Sequence, residues 1–303
     1  MSTTDASTTE TATTSIWLDL LGSGAGERFY DVKGVRTRVI EAGSPDLPAL
    51  VLIHGTGGHA ETYCRNMGPL SKHFRVLALD LPGHGFTDRP AEAPDVAGYA
   101  QHVVDLLDTL GIERAHVSGE SLGGMVSAWV GIAHPDRVNK IVMNTGTLAR
   151  PNAAGQAQLD DLEQRTLALR DNGVTREGTR HRMNWLVADP SRMTDEMVEC
   201  RLRIYSQDGM LDSVARIMSS VVGMLRGDHG DEFMAPGVLK SLAAPTLVLW
   251  TEDNPGQTTE LAEQVSADIP NGRFEVLTDC AHWPQFERPD VFNQTHLEFL
   301  LED

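Results

Sequence analysis

Short, nearly continuous apolar runs recur along the chain: ALVLIHG (49–55), FRVLALD (74–80), AHVSG (115–119), KIVMN (140–144), TLVLW (246–250) and RFEVLT (273–278). Runs of this length without polar alternation suit strands buried on both faces of a parallel sheet. Ahead of them, RFYDVKG and VRTRVIEAG predict an opening hairpin around Lys33-Gly34. Helical spacing fills the gaps. Tyr99, Val103, Leu106, Leu107 and Leu110 share a face, and Gly111 supplies the stop. Leu261, Val265 and Ile269 repeat every fourth residue before Pro270, and Phe292, His296, Phe299 and Leu300 place an amphipathic helix at the end. Strand and helix in alternation predict α/β architecture, a mostly parallel sheet flanked by helices through right-handed crossovers.

The alternation breaks over 148–236. Leu159, Leu162 and Leu169 form one apolar stripe there, and Thr175 and Thr194 have the chemistry of helix N-caps. A helical insertion between sheet strands, at their carboxyl ends, covers the region where ligands bind such folds, so it reads as a cap. The expected organisation is a disordered tail (1–20), a core domain (21–147 and 237–303) and the helical cap (148–236).

Charge narrows the partners. Lys and Arg total 25 against 43 Asp and Glu, a net charge of −18 that repels nucleic acid and anionic membrane surfaces. Cys64, Cys200 and Cys280 are scattered, with no Cys-x-x-Cys, which disfavours a disulfide framework or a zinc ribbon and fits a reducing cytoplasm. The Thr- and Ser-rich start MSTTDASTTETATTS lacks the basic-then-apolar order of a secretory signal. No apolar run approaches the roughly 18 residues of a membrane span.

One short motif carries chemistry. In HVSGESLGG (116–124), Ser121 stands between Gly119 and Gly123, at the end of an expected strand and the start of an expected helix. Gly-x-Ser-x-Gly in that setting makes a sharp turn that exposes the serine as a nucleophile, and the glycines remove side chains that would clash. The backbone N–H of Leu122 then faces a developing oxyanion. His54-Gly55 ends another strand, and Thr56-Gly57-Gly58 follows, so the second N–H donor is expected at Gly57. His54 precedes the turn and reads as structural. Among eleven histidines, His282 is selected as general base because it follows the last strand, in the loop before the final helix. A packing turn of small residues is the bland alternative, and these partners argue against it.

With the serine, the late histidine and the inserted cap, the chain resembles the α/β-hydrolases over nearly its whole length. LIHGTGGHAETYCRNMGPLSKHFRVLALDLPGHGFTDRP and HWPQFERPD resemble the meta-cleavage product hydrolases, serine hydrolases that cut a carbon–carbon bond in ring-opened aromatic compounds. So does MTDEMVECR in the cap, where the family places an arginine that holds the substrate's carboxylate and dienol oxygen. The resemblance gives that role to Arg201 and a place in the pocket wall to Trp283; Thr56 and Glu120 are the other expected substrate contacts. Independently, Met197, Arg201 and Tyr205 share one helix face, and an arginine in an apolar stripe needs an anionic partner or a path to water. Three positions depart from the family: Glu120 and Thr62 stand where it commonly has Asn, and WTEDNPG replaces its usual Gly-x-x-Asp.

That last departure bears on the acid that orients the histidine. After KIVMN the chain offers Asn144; after TLVLW it offers Glu252, Asp253 and Asn254. An ungapped match to the family puts Asn254 at the acid's position, and a shift of one residue puts Asp253 there. Asp253 is the expected acid, because an amide cannot match a carboxylate beside an imidazolium. The expected activity is therefore Ser-His-Asp hydrolysis of a 2-hydroxy-6-oxo-dienoate, without cofactor or metal, on a small-molecule substrate, with a homodimer as the expected assembly. A carboxylic ester or lactone hydrolase with the same triad is the alternative, and a silent ligand receptor the rival from another class.

Overall fold

The computed structural model describes residues 15–302. Of the tail expected over 1–20, residues 1–14 lie outside the described residues. The remainder is not a free tail. Ile16–Leu20 forms helix α1, with Ser15 capping it from the Trp17 N–H. Glu196, in the cap, accepts hydrogen bonds from the Ser15 hydroxyl and the Ile16 N–H at 3.1 and 2.8 Å. Two satisfied donors at a helix start dock a segment whose polar composition suggested disorder.

Strands β1 (Gly26–Val32) and β2 (Val35–Ala42) form the opening hairpin. Its two turn residues, Lys33 and Gly34, have φ of 53° and 87°, the double left-handed turn that matches strand twist. β3 (Ala49–Ile53), β4 (Arg75–Leu79), β5 (Ala115–Glu120), β6 (Val138–Asn144), β7 (Thr246–Thr251) and β8 (Gly272–Leu277) complete an eight-stranded sheet in the order β1-β2-β4-β3-β5-β6-β7-β8. β2 runs antiparallel to β1 and β4, and the other pairs are parallel. Every residue of β3 and β5 is buried, which explains why these runs lack polar alternation.

Helices cover both faces. α2 (Cys64–Leu70) lends Met67 and Leu70 to one apolar layer, Tyr63 just before it joins them, and the carboxyl-terminal helix lends Phe292, Phe299 and Leu300. α3 (Val96–Thr109) and α4 (Leu122–Ala133) build the opposite layer with Tyr99, Val103, Val126 and Val130. Between β6 and β7 lie four further helices: α5 (Ala153–Asn172), α6 (Arg176–Met183), α7 (Asp195–Tyr205) and α8 (Met210–Arg226). Thr175 and Thr194 cap α6 and α7, accepting from the N–H groups of Gly178 and Met197. α9 (Thr259–Asp268), α10 (Pro284–Glu287) and α11 (Pro289–Leu301) follow.

A buried charge network fixes the loops after β3 and β4 beside each other. Arg38 bonds Glu27, Glu61 and Asp80, while Asp80 also accepts from the Ala60 and Phe86 N–H groups at 2.7 and 2.8 Å. Arg38→Met leaves two buried carboxylates without their cation, and it is expected to cost about 3–5 kcal/mol in a urea unfolding curve. A change under about 1 kcal/mol means that the network adds little.

Candidate active site

β5 pairs Glu120 with Asn144 of β6, so the next residue, Ser121, emerges at the carboxyl edge of the sheet between β3 and β6. Ser121 has φ 56° and ψ −118°, a backbone conformation rare for a residue with a side chain. Two glycines make the turn fit. A Cβ on Gly119 would lie 2.0 Å from the Gly123 carbonyl oxygen, and one on Gly123 would lie 2.1 Å from that of Ile53. Ser121 precedes the first residue of α4, whose leading N–H groups, Leu122 first, are free of helical partners.

His282 lines the same pocket as Ser121. The Thr145 hydroxyl donates to its carbonyl at 3.0 Å, and the Trp185 ring stands edge-on to the imidazole at 5.0 Å. Its Nδ1 lies 2.7 Å from Asn254 Oδ1. The orienting position is thus held by Asn254, not by the expected Asp253. The cause is the loop's own bonding. The Glu252 and Asp253 N–H groups continue the pairing of the strand end, to the Leu277 and Cys280 carbonyls, which leaves the Asp253 side chain exposed. The Asn254 amide donates to the Gln257 carbonyl at 2.8 Å, which turns Oδ1 toward the ring. Nδ1–H donating to that oxygen leaves Nε2 with its lone pair.

A carboxylate does reach the imidazole, from the other side. Glu120 Oε1 is 3.3 Å from His282 Nε2, and its Oε2 accepts from the Gly55 N–H at 2.8 Å. Burial pushes the Glu120 carboxyl up to about 7 and drives the His282 imidazole down to about 3. With His282 neutral the contact is not an ion pair, and a proton bridges it only while Glu120 is protonated.

Two arginines close the pocket on the cap side. Arg201 is fully buried; its Nη1 donates to the Gly57 carbonyl and to Tyr205 Oη, while Nε and Nη2 have no protein partner. Arg182 is also buried, donating from Nε to Thr166 and from Nη2 to the Thr56 carbonyl, with Nη1 unpaired. Burial alone would raise the Tyr205 hydroxyl, yet Arg182 and Arg201 hold it below its usual range. The Gly57 carbonyl is thus engaged by the cap, and the turn meets the pocket through Gly55, Thr56 and Gly58. Thr56, an expected substrate contact, stands at the wall. Trp283 lines the pocket too, its ring 5.3 Å from the Arg201 guanidinium.

A family model described as the alpha/beta hydrolase fold matches residues 48–289. A 2-hydroxy-6-oxononadienedioate/2-hydroxy-6-oxononatrienedioate hydrolase of Paraburkholderia phymatum is 30% identical over 98% of this chain and 99% of its own. The chain belongs to the α/β-hydrolase fold family. A 2-hydroxy-6-oxo-6-(2'-aminophenyl)hexa-2,4-dienoic acid hydrolase of Metapseudomonas resinovorans is 28% identical over 90% of each chain. Among solved structures, a serine hydrolase involved in carbazole degradation superposes with a TM-score of 0.76 at 25% identity, covering 91% of this chain and 99% of its own.

In this hydrolase the structure brings Ser121, His282, Glu120, Thr56, Arg201 and Trp283 to one pocket and leaves Asp253 outside it. Sequence reasoning missed Arg182, Trp185 and Gln257. Arg182 had a signal: it lies one turn before the apolar Trp185-Leu186, in a segment otherwise read only for its cap. Gln257 bridges the loops after β6 and β7, bonding the Thr147 N–H and carbonyl at 3.1 and 3.0 Å, and nothing in its neighbours announces that. One potential metal grouping occurs among the described residues, His59, Glu61 and Cys200, but Arg38 already occupies the Glu61 carboxylate. Among the described residues, no helix is long and apolar enough to cross a membrane.

Proposed function

We propose that this hydrolase cleaves a carbon–carbon bond in a ring-opened aromatic 2-hydroxy-6-oxo-dienoate, with Ser121 as nucleophile and His282 as base. The observation that carries this reading is a fully buried Arg201 with two unpaired N–H-bearing nitrogens at the pocket that Ser121 and His282 share. A buried guanidinium with one edge unpaired and no carboxylate among its hydrogen-bond partners suits an anionic ligand, and the substrate's carboxylate supplies one. The relatives named for such dienoates point the same way.

The reaction starts once the dienol has taken its keto form. Ser121 Oγ attacks the C6 carbonyl and its proton passes to His282 Nε2. The Leu122 N–H and the Thr56 region hold the oxyanion. The C5–C6 bond then breaks, its electrons pass through C4 and C3 onto the C2 oxygen to form the dienolate, and that oxygen takes up the proton held by His282. Water hydrolyses the acyl-serine, with His282 again accepting and returning a proton, to release a carboxylic acid. Asn254 orients the ring, and Glu120 supplies the negative charge that stabilises the imidazolium. The three thiols are unpaired, which suits a cytoplasmic enzyme.

Glu120 beside the nucleophile favours one second reading, a carboxylic ester or lactone hydrolase with the same site. The two are separated by following the loss of the yellow dienoate colour alongside p-nitrophenol release from short esters. Arg201→Gln is expected to lower kcat/KM on the dienoate about 10- to 100-fold more than on the neutral ester. Equal losses on both substrates would point to Arg201 as a structural part of the cap, and ester turnover alone would favour the second reading.

A further inference from the structure

Two buried guanidiniums share the pocket with the Glu120 carboxylate, and neither of them hydrogen-bonds it. Arg182 and Arg201 come from different cap helices, α6 and α7, yet both reach the same turn, at the Thr56 and Gly57 carbonyls. Both also lie against the Tyr205 ring, at 5.8 and 5.5 Å. No carboxylate is among their hydrogen-bond partners. Three buried nitrogens remain unpaired: Arg201 Nε and Nη2, and Arg182 Nη1. Each such donor left dry costs free energy, more so on a charged group.

The unpaired groups match a particular shape. Nε and Nη2 of one guanidinium form a flat two-pronged edge, which fits both oxygens of a carboxylate. A third donor on a second guanidinium then fits an oxygen adjacent to that carboxylate. Resting on the hydrolase reading above, we infer that Arg182 is a specificity-determining residue. It binds the 2-oxo or 2-oxido oxygen of a 2-oxo acid (or its enol) whose carboxylate sits on Arg201.

The apolar lining bears on the rest of the ligand. The arginines meet the turn after β3, and Ser121 follows β5, its neighbour in the sheet. The rest of the pocket wall includes Leu159, Leu162, Met218, Val222 and Leu225, from α5 and α8, with the Pro255 loop. The head group takes the two arginines, and the arm lies against this apolar wall. A second carboxylate on the arm would lie against apolar side chains with both arginines already taken by the head group, an unfavourable burial. The arm released as a carboxylic acid is apolar.

The test uses binding of compounds with no scissile bond. 2-Oxo-4-phenylbutanoate and 4-phenylbutanoate differ only in the 2-oxo oxygen, and calorimetry gives Kd for each on the wild-type protein. The 2-oxo acid is expected to bind at least about tenfold tighter. Arg182→Gln should erase that preference while changing the affinity for 4-phenylbutanoate less than about threefold, and Arg182→Lys, which keeps the charge, should retain part of it. The lysine variant also serves if the glutamine variant fails to fold. Equal weakening of both ligands in Arg182→Gln, or an unchanged preference in both variants, overturns the inference. The outcomes separate from those of the activity. If no dienoate is cleaved but the binding pattern holds, the carbon–carbon reading falls and the clamp stands. If dienoates are cleaved while Arg182→Gln leaves the preference intact, the clamp falls and the activity stands.

Discussion

Ser121→Ala is expected to lower kcat by at least about 10³-fold while leaving stability and substrate affinity close to wild type. The stability half follows from the structure. The Ser121 hydroxyl caps nothing in α4, and the bonds that hold the turn are backbone ones. The Ser121 N–H donates to the Asn144 carbonyl at 2.9 Å, and the Gly124 and Met125 N–H groups return to the Ser121 carbonyl at 2.9 and 3.2 Å. Alanine keeps the Cβ, so the positive φ is no more strained than before. A melting curve should therefore shift by no more than about 1 kcal/mol of stability. The activity half rests on the Oγ being the attacking atom; the remaining turnover comes from the oxyanion donors and binding alone. The check is single-turnover decolourisation of the dienoate, with stable ligand binding as the control. Near-wild-type turnover in a folded Ser121→Ala protein places the nucleophile elsewhere.

The elbow was legible because three physical demands coincide on five residues: a strand end, a helix start and two positions where a Cβ would strike backbone. The sheet was legible for a similar reason, since β3 and β5 are buried on both faces and cannot alternate. Arg201 stood out as a charge in an apolar stripe. The orienting residue was not legible, because loop register after β7 depends on bonds from the Asp253 N–H to Cys280 and from Asn254 to Gln257. Those bonds link segments that no periodicity relates. The preference for Asp253 came from chemistry, that a carboxylate suits the role better than an amide. A carboxylate does stand beside the imidazole, but at Nε2 rather than Nδ1, in Glu120. The docking of α1 was hidden likewise, since its partner Glu196 lies in the cap.

Removing the carboxylate that faces the imidazole should have the second large effect. Glu120→Gln is expected to lower kcat about 10²- to 10³-fold, the range for losing one preorganised charge or donor at a transition state. The substituted amide is nearly isosteric and can still accept from the Gly55 N–H. Its NH₂ group then faces Nε2, where it would donate to the lone pair that must take the serine's proton. The pH profile tells this apart from mere misfolding. Burial holds the Glu120 carboxyl at about 7, so its ionised fraction grows as pH rises from 6 to 8. Activity that uses the anion therefore rises through about pH 7 and flattens above it. His282, held near 3 by burial, stays neutral across that range and adds no step there. Wild-type kcat/KM should show the step, and Glu120→Gln should lack it. Asn254→Asp supplies the decisive comparison. Alone it adds a second carboxylate to a ring that already has one, and kcat should change less than about tenfold. In the Glu120→Gln background it restores a charge at Nδ1, and it should recover at least about tenfold of the lost rate. A gain of about 10²-fold from Asn254→Asp alone, with no extra benefit in the double variant, would show that His282 lacks a charged partner in the wild-type enzyme and that Glu120 is not one.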